Sequence, residues 1–225
     1  MDAAIAEVIP NAVDPSGAIL DIGTISSTVL SATLGLAVQK SGRTTGLTKG
    51  TIAGIDCTVV VGPYSNGRSA TFVNQIEITG SPTFSGNFDS GSLVVENVAN
   101  NPRPVGLLIA GTSAESWANP IQAVLAAFPG AGIVGANTSQ ISDITAGPSA
   151  ATVEQARNVK LQHDAFLLSL TGATASCVGS SAANPNDVVI QLYVQKVTDV
   201  LKNVVPADLD GIRIETIESG NIAPL

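Results

Sequence analysis

The fold of this chain is indicated most clearly by residues 84–95, which read Phe-Ser-Gly-Asn-Phe-Asp-Ser-Gly-Ser-Leu-Val-Val. A turn rich in Gly, Asn, Asp and Ser leads directly into an apolar run, which is how a surface loop enters a buried β-strand. Ser90 lies inside this turn, where its hydroxyl becomes a nucleophile only if an adjacent base takes its proton. That base is usually an imidazole, and the only histidine is the distant His163. The stretch therefore has two interpretations: an ordinary strand-entry turn, or the nucleophile of an incomplete hydrolytic site.

The residues around this turn predict an antiparallel β-barrel. Between Leu34 and Ala110, short β-rich runs alternate with Gly, Asn and Pro, which is typical of hairpins. The predicted strands are Leu34–Gln39, Thr48–Ala53, Cys57–Val61, Ala70–Ile78, Ser92–Val95 and Val105–Ala110. Six strands are enough to close one small barrel. Asn119 and Pro120 then predict the start of a helix, with Asn as its cap and Pro at its first position.

A second unit with a different rhythm follows. Residues 136–150 are rich in Gly, Ala, Ser and Thr without a clear period, so they predict a linker. Helical spacing begins near Thr152, and later segments predict two strands, a helix and a last strand, in the order α-β-β-α-β. We therefore predict a barrel with its closing helix at residues 1–135, a linker at 136–150 and a small α+β sandwich at 151–225.

Composition excludes several functions. The net charge is -8 with only 10 scattered basic residues, whereas a nucleic-acid binder needs clustered Lys and Arg to neutralise phosphates. No apolar run reaches the roughly 18 residues of a membrane helix, and the first residues lack the order of a signal peptide. We therefore expect no nucleic-acid partner, no membrane span and, by default, a cytoplasmic location.

Cysteine and histidine spacing gives no sign of a metal site or cofactor. No pair of Cys or His has the spacing of metal ligands, so neither a metal nor a cofactor is expected. Cys57 and Cys177 fall in different predicted domains, which favours buried unpaired thiols and leaves a disulfide as the alternative. His163 lies at helical spacing among apolar residues, which favours a structural histidine bonded to backbone.

Four segments together resemble trypsin-like serine peptidases with the chymotrypsin fold. They are Val38–Gly50, Asp89–Ser92, Pro104–Thr112 and Ala118–Ile121, and their order and spacing are similar to the second β-barrel and closing helix of those enzymes. The opening segment Met1–Ala6 is similar to the one that holds the triad aspartate. The resemblance covers residues 1–135 and implies a mainly β fold, a chymotrypsin-like barrel followed by the α+β module.

The resemblance also implies site residues. Ser90 matches the nucleophile and Asp2 matches the carboxylate that orients the base, while the base itself would come from a barrel preceding Met1. The implied oxyanion hole consists of Phe88, Asp89 and Ser90, and the implied substrate pocket of Phe84, Ile109, Ala110 and Gly111. The family has glycine where this chain has Phe88, so one donor of the hole depends on whether Phe can adopt the backbone geometry of glycine.

Two main hypotheses follow for function. The chain is either half of a trypsin-like serine endopeptidase, inactive alone and acting on peptides or proteins once a first barrel is supplied, or a catalytically dead descendant. The dead descendant would serve assembly, forming a homo-oligomer or a stable hetero-complex through the exposed barrel face. A third hypothesis is that the α+β module, which is similar to one that accompanies bacterial peptidases, binds a peptide by strand addition.

Overall fold

The computed structural model describes residues 1–9, 11–137 and 147–225, so residues 138–146 of the predicted linker lie outside the described residues. The elements of the first part are β1 (Ala18–Ile19), β2 (Gly23–Thr24), β3 (Ala37–Gly42), β4 (Gly46–Val61), β5 (Ala70–Gly80), β6 (Leu93–Glu96), β7 (Pro104–Gly111), β8 (Glu115–Pro120) and α1 (Ile121–Ala127). The second part contains α2 (Ala150–Ser169), β9 (Ala173–Ser180), β10 (Val188–Val194), α3 (Asp199–Val204), β11 (Asp208–Leu209), β12 (Ile212–Glu218) and β13 (Ala223–Pro224). The prediction of a mainly β fold is confirmed.

Strands β3 to β8 close into a six-stranded antiparallel ring. Strand β3 pairs with β4 and β6, β6 with β7, β7 with β8, β8 with β5, and β5 returns to β4. Alternate side chains point inward along each strand, and Val38, Ile52, Ile78, Val94 and Leu108 are all at most 1% exposed. Closure pairs the strands of the ring on both sides, which protects their backbone hydrogen bonds.

The six strands of the ring differ from the six predicted ones. Thr48–Ala53 and Cys57–Val61 are two halves of the single strand β4, which bends at register shifts between Gly54 and Cys57. Asp56 lies in this bend with a φ of 50°. A bulge within one strand thus contains the Gly and Asp residues that are typical of a turn between two strands. Strand β8 was not predicted, because Ser-Trp-Ala-Asn-Pro has neither clear alternation nor β-branched residues. The helix begins at Ile121, and Asn119 belongs to β8 instead of capping it.

The second part has the predicted order α-β-β-α-β, with the short strands β11 and β13 in addition. Strand β10 is antiparallel to β9 and parallel to β12, and α2 lies against β9 and β10. Strand β9 also pairs with β4, so the barrel and the second part share one sheet. Val178, Ile190 and Leu192 belong to the same core cluster as Val38 and Ile52, which we call the main core. The division into two domains at residues 136–150 stays a prediction.

Cys57 and Cys177 form a disulfide between β4 and β9. The expectation of two free thiols is therefore wrong. The cysteines were assigned to different domains, and local sequence does not show that β4 and β9 are neighbours in the sheet. The disulfide lies in a second core cluster, which also contains Val59, Trp117, Tyr193 and Ile222 and which we call the second core.

Candidate functional site

Ser90 lies in an exposed turn that is fastened to β7. The N–H of Gly91 donates to the carbonyl of Leu108 at 2.8 Å, and the N–H of Leu108 donates to the carbonyl of Ser92 at 3.1 Å. The Ser92 hydroxyl donates to the carbonyl of Asp89 at 2.6 Å. Gly91 and Ser92 are thus hydrogen bonded to β7, and Ser92 also to Asp89. The Ser90 hydroxyl has no hydrogen-bond partner among the described residues.

The buried side chain of Asp89 anchors this turn by hydrogen bonds and an ion pair. Its side chain is fully buried, and its carboxylate accepts hydrogen bonds from the N–H groups of Thr44 at 2.8 Å, Thr45 at 3.3 Å and Gly86 at 3.0 Å. It also accepts from the Thr45 hydroxyl at 2.6 Å and pairs with the Lys40 ammonium at 3.3 Å. Burial alone would raise the pKa of Asp89, but the hydrogen bonds from Thr45, Thr44 and Gly86 lower this pKa to about 2. Asp89 is therefore an ionised anchor of the turn.

The hairpin between β3 and β4 supplies most of the partners of Asp89. Lys40 is fully buried there and also donates to the carbonyl of Gly46 at 3.1 Å and to the Thr45 hydroxyl. Burial lowers the pKa of Lys40, and the Asp89 charge opposes this shift. Gly42 allows the close approach, because a Cβ atom there would lie 2.4 Å from a carboxylate oxygen of Asp89. Lys40 was not predicted as a site residue, since lysine is expected at the surface unless it is paired.

Phe88 adopts the backbone conformation that favours glycine. Its φ is 73°, in the left-handed region. The residue is 67% exposed, and the Arg43 guanidinium lies 5.4 Å from the centroid of its ring. The N–H groups of Phe88 and Ser90 make no hydrogen bond to any other described residue, whereas the N–H of Asp89 donates to the carbonyl of Gly86 at 3.1 Å. The N–H of Asp89 is thus occupied within the turn, while those of Phe88 and Ser90 are not. The assignment of Phe88, Asp89 and Ser90 to an oxyanion hole stays a prediction.

Asp2 is held on β8, next to the strand that anchors the Ser90 turn. Its N–H donates to the side-chain oxygen of Asn119 at 3.2 Å, and the Asn119 side-chain N–H donates to the Asp2 carbonyl at 2.6 Å. Asn119 pairs with Leu107 on β7, directly before the Leu108 that bonds Gly91. The backbone of Asp2 is thus hydrogen bonded to β8, and the Ser90 turn is hydrogen bonded to the neighbouring strand β7. The Asp2 side chain is exposed, and its role in a triad stays a prediction.

The predicted pocket residues are mostly buried. Phe84 is 1% exposed and packs in the main core, while Ile109 and Ala110 lie in the second core. Ser85, which sequence reasoning missed, is hydrogen bonded to Ser116 at 2.7 Å, and its hydroxyl lies 3.2 Å from the place of a Cβ on Gly111. The contact of these side chains with a substrate stays a prediction, and the edge of β7 near Gly111 is described below.

His163 lies on α2, where its Nε2 atom is 2.8 Å from an Asp210 carboxylate oxygen. The expectation of a backbone partner is wrong, because the turn between β11 and β12 brings a carboxylate to the helix. Within the described ranges, no group of three or more His, Cys, Asp or Glu side chains could hold a metal ion. The described helices include none that is long and apolar enough to cross a membrane.

A buried carboxyl group lies where the barrel meets β9 and β10. Glu77 is 1% exposed, and an oxygen of its carboxyl group lies 2.7 Å from the place of a Cβ on Gly54, beside Cys177. Burial raises the pKa of Glu77 to about 8, the Glu115 charge adds to the rise, and the Tyr193 hydroxyl opposes it. Glu77 is therefore protonated in large part at neutral pH.

Several solved structures are similar to part of this chain. One is a glutamic acid-specific serine protease that uses a histidine triad in substrate binding, with 23% identity over 55% of this chain and 63% of that one, at a TM-score of 0.42. Thermobifida fusca protease A shows 25% identity over 52% of this chain and 59% of that one, at a TM-score of 0.41. Cellulomonas bogoriensis chymotrypsin shows 26% identity over 48% of this chain and 53% of that one, at a TM-score of 0.36. The chain thus spans less than two thirds of each of these proteins.

Curated protein sequences include none that matches this chain. A protein-family model described as the Nal1 C-terminal domain matches residues 3–123, which is more than half of the chain. The matched region contains all six strands of the barrel, the Lys40–Asp89 pair and the Ser90 turn. This chain belongs to the Nal1 C-terminal domain family.

Proposed function

We propose that the barrel carries the nucleophile and the oxyanion-binding part of a serine endopeptidase site, with Ser90 as the nucleophile. The observation that carries the proposal is the backbone of residues 88–90. Phe88 is held in the left-handed region, so that its N–H and that of Ser90 remain unbonded beside an exposed hydroxyl. Two such donors are what the tetrahedral intermediate of acyl transfer requires, and losing one costs about 3 kcal/mol of transition-state stabilisation.

The proposed reaction needs a base that the described residues do not place beside Ser90. In acyl transfer, the Ser90 oxygen bonds to the carbonyl carbon of the peptide while its proton passes to an imidazole. That imidazole then protonates the leaving amine as the C–N bond breaks. We propose that a first barrel, from a preceding segment or another chain, supplies this imidazole between Asp2 and Ser90. The chain alone is then expected to be inactive.

Labelling with a fluorophosphonate tests the nucleophile directly. The reagent is added to the purified chain with increasing imidazole in the buffer as a diffusible base, and labelled sites are mapped by peptide mass spectrometry. We expect labelling of Ser90 that rises with imidazole, is absent in Ser90→Ala and is retained in the matched control Ser65→Ala, at an exposed serine outside this turn. Absence of Ser90 labelling at every imidazole concentration, with the fold verified by circular dichroism, would contradict the proposal.

A second candidate function is assembly without catalysis. The segment before β3 exposes several large apolar side chains, namely Ile5 at 67%, Val8 at 53%, Ile9 at 78%, Val13 at 57% and Leu20 at 78%. Exposed apolar surface of this kind is typical of interaction sites. Under this function the chain forms a homo-oligomer or a stable hetero-complex, and Ser90 is never labelled. Light scattering at micromolar concentration tests it, and a monodisperse monomer that binds no other protein would exclude it.

A further inference from the structure

The last strand of the chain lies along the edge of β7 beside the candidate site. Ala223 pairs with Gly111 and Pro224 with Ala110 in antiparallel register. The N–H of Leu225 donates to the carbonyl of Ile109 at 3.2 Å. Addition of an extended segment to a sheet edge is a common way in which proteins bind peptides. Residues 223–225 therefore occupy β7 in the way that a bound peptide would.

The same edge of β7 carries the Ser90 turn. Its first half pairs with β6, and Leu108 bonds both Gly91 and Ser92. Ile109, which binds Leu225, is the next residue along β7. Because β13 is antiparallel to β7, the direction from Ala223 to Leu225 runs toward the Ser90 turn. Leu225 therefore lies opposite Ile109, one residue along β7 from the Leu108 that bonds Gly91 and Ser92.

The segment is held by its side chains as well as by its backbone. Ile222 is 1% exposed in the second core, and its carbonyl accepts the N–H of Gly62 at 2.9 Å. Leu225 is half-buried and packs against the main core. Its Cδ2 atom lies 3.1 Å from the place of a Cβ on Gly111. A glycine at this position leaves just enough room for an aliphatic side chain beside Ser85.

We propose that residues 223–225 act as an intramolecular competitor: they occupy the edge of β7 at Ile109–Gly111, part of the predicted substrate pocket, in place of an extended peptide with an aliphatic residue at the position of Leu225. The inference rests on the proposed function in one respect, namely that a peptide bound at this edge would present its carbonyl group to a reactive serine. Peptide binding itself does not require Ser90 to react, so the two can fail separately. The favoured ligand carries a small residue, a proline and an aliphatic residue in this order.

Fluorescence anisotropy of a labelled peptide tests the binding site. The probe is fluorescein-Gly-Gly-Ala-Pro-Leu, and the variant ends at Ile222, which keeps the anchor in the second core. We expect the shortened chain to bind the probe at least tenfold more tightly than the full chain, since the competitor is gone. Gly111→Ala in the shortened chain should weaken binding at least fivefold, and so should replacing the last Leu of the probe by Asp.

A second variant keeps the test decisive if the shortened chain does not fold. Leu225→Asp in the full chain should speed amide exchange at residues 223 and 225 and allow the probe to bind, whereas Leu161→Asp, at a residue that is 75% exposed on α2, should do neither. Equal binding by the full chain and the Leu225→Asp variant, or no binding by any folded variant, would overturn the inference. Binding without any labelling of Ser90 would leave it standing and contradict only the proposed function.

Discussion

At the residue scale, the site depends on two side chains in positions that their types rarely take. Phe88 has a φ of 73°, where a Cβ atom is penalised, and Lys40 is fully buried. The strain at Phe88 costs about 1 to 3 kcal/mol and persists because Asp89 fixes the turn on one side and β7 on the other. The sequence could indicate Phe88 as a departure from glycine, but it could not show that the backbone keeps the geometry of glycine. Lys40 was missed because its buried partner lies 49 residues away along the chain.

Substitution of Phe88 separates strain from function. Phe88→Gly removes the Cβ penalty, so we expect the free energy of unfolding to rise by about 1 kcal/mol, with Ser90 labelling retained. Phe88→Pro fixes φ near −65° and removes the N–H, so labelling should be lost. Phe88→Ala keeps the penalty and serves as the control for loss of the ring. Urea denaturation and fluorophosphonate labelling measure both effects, and full labelling of Phe88→Pro would contradict the donor role.

Acid should destabilise the Ser90 turn through Asp89. The pKa of Asp89 is about 2 in the folded chain against an ordinary value of 3.8, so its stabilising contribution is present above pH 3.8 and is lost as pH falls toward 2. We expect Asp89→Asn to lower the free energy of unfolding at pH 6 by about 2 kcal/mol. The difference between the two chains should shrink below pH 4. Urea denaturation at several pH values measures it, and a difference that does not change with pH would contradict the role of the charge.

At the element scale, local pattern indicated the barrel strands but not their partners. Alternation and Gly-rich turns located β3, β5, β6 and β7 to within a few residues. The residues at 54–56 resemble a turn, so local sequence predicts a break where β4 only bends. Local sequence does not indicate β8, because its buried positions hold Trp, Ser and Asn. Asn119 shows the physical limit most clearly. Local sequence favoured a helix cap, whereas its side chain bonds the backbone of Asp2, 117 residues away.

The pairing of β5 with β8 places Glu77 opposite Trp117 of the second core. Burial of this carboxyl group makes the free energy of unfolding depend on pH. Its pKa is about 8 in the folded chain against 4.5, so the stabilising effect of the protonated form is complete below pH 4.5 and is lost as pH rises through 8. Glu77→Gln imitates the protonated form at every pH. We expect it to become more stable than the wild type by about 4 kcal/mol at pH 9, with little difference at pH 5. Thermal denaturation across this range measures it, and parallel curves would contradict the raised pKa.

At the scale of the whole molecule, the barrel and the second part are joined by the β4–β9 pairing, the disulfide and the return of β13 to β7. None of these contacts is visible in local sequence, because each joins residues far apart along the chain. The order of elements in the second part was predictable from helical and strand periodicity. Its connection to the candidate site through residues 223–225 was not.

Reduction of the disulfide should weaken this connection. Cys57 and Cys177 are 120 residues apart, and in the chain-entropy model closing so long a loop stabilises the fold by about 5 kcal/mol. We expect reductant to lower the free energy of unfolding of the wild type by about 5 kcal/mol. The double variant Cys57→Ala/Cys177→Ala should not respond to reductant. Urea denaturation with and without reductant measures both, and an unchanged wild type would contradict the structural role of the bond.

The most direct test of the central claim is a crystal structure of the chain phosphonylated at Ser90. We predict that the phosphonyl oxygen accepts hydrogen bonds from the N–H groups of both Phe88 and Ser90, at roughly 2.7 to 3.1 Å. The backbone of Phe88 should keep its left-handed conformation in this adduct. A phosphonyl oxygen that points to solvent, or a Phe88 that leaves the left-handed region, would contradict the account.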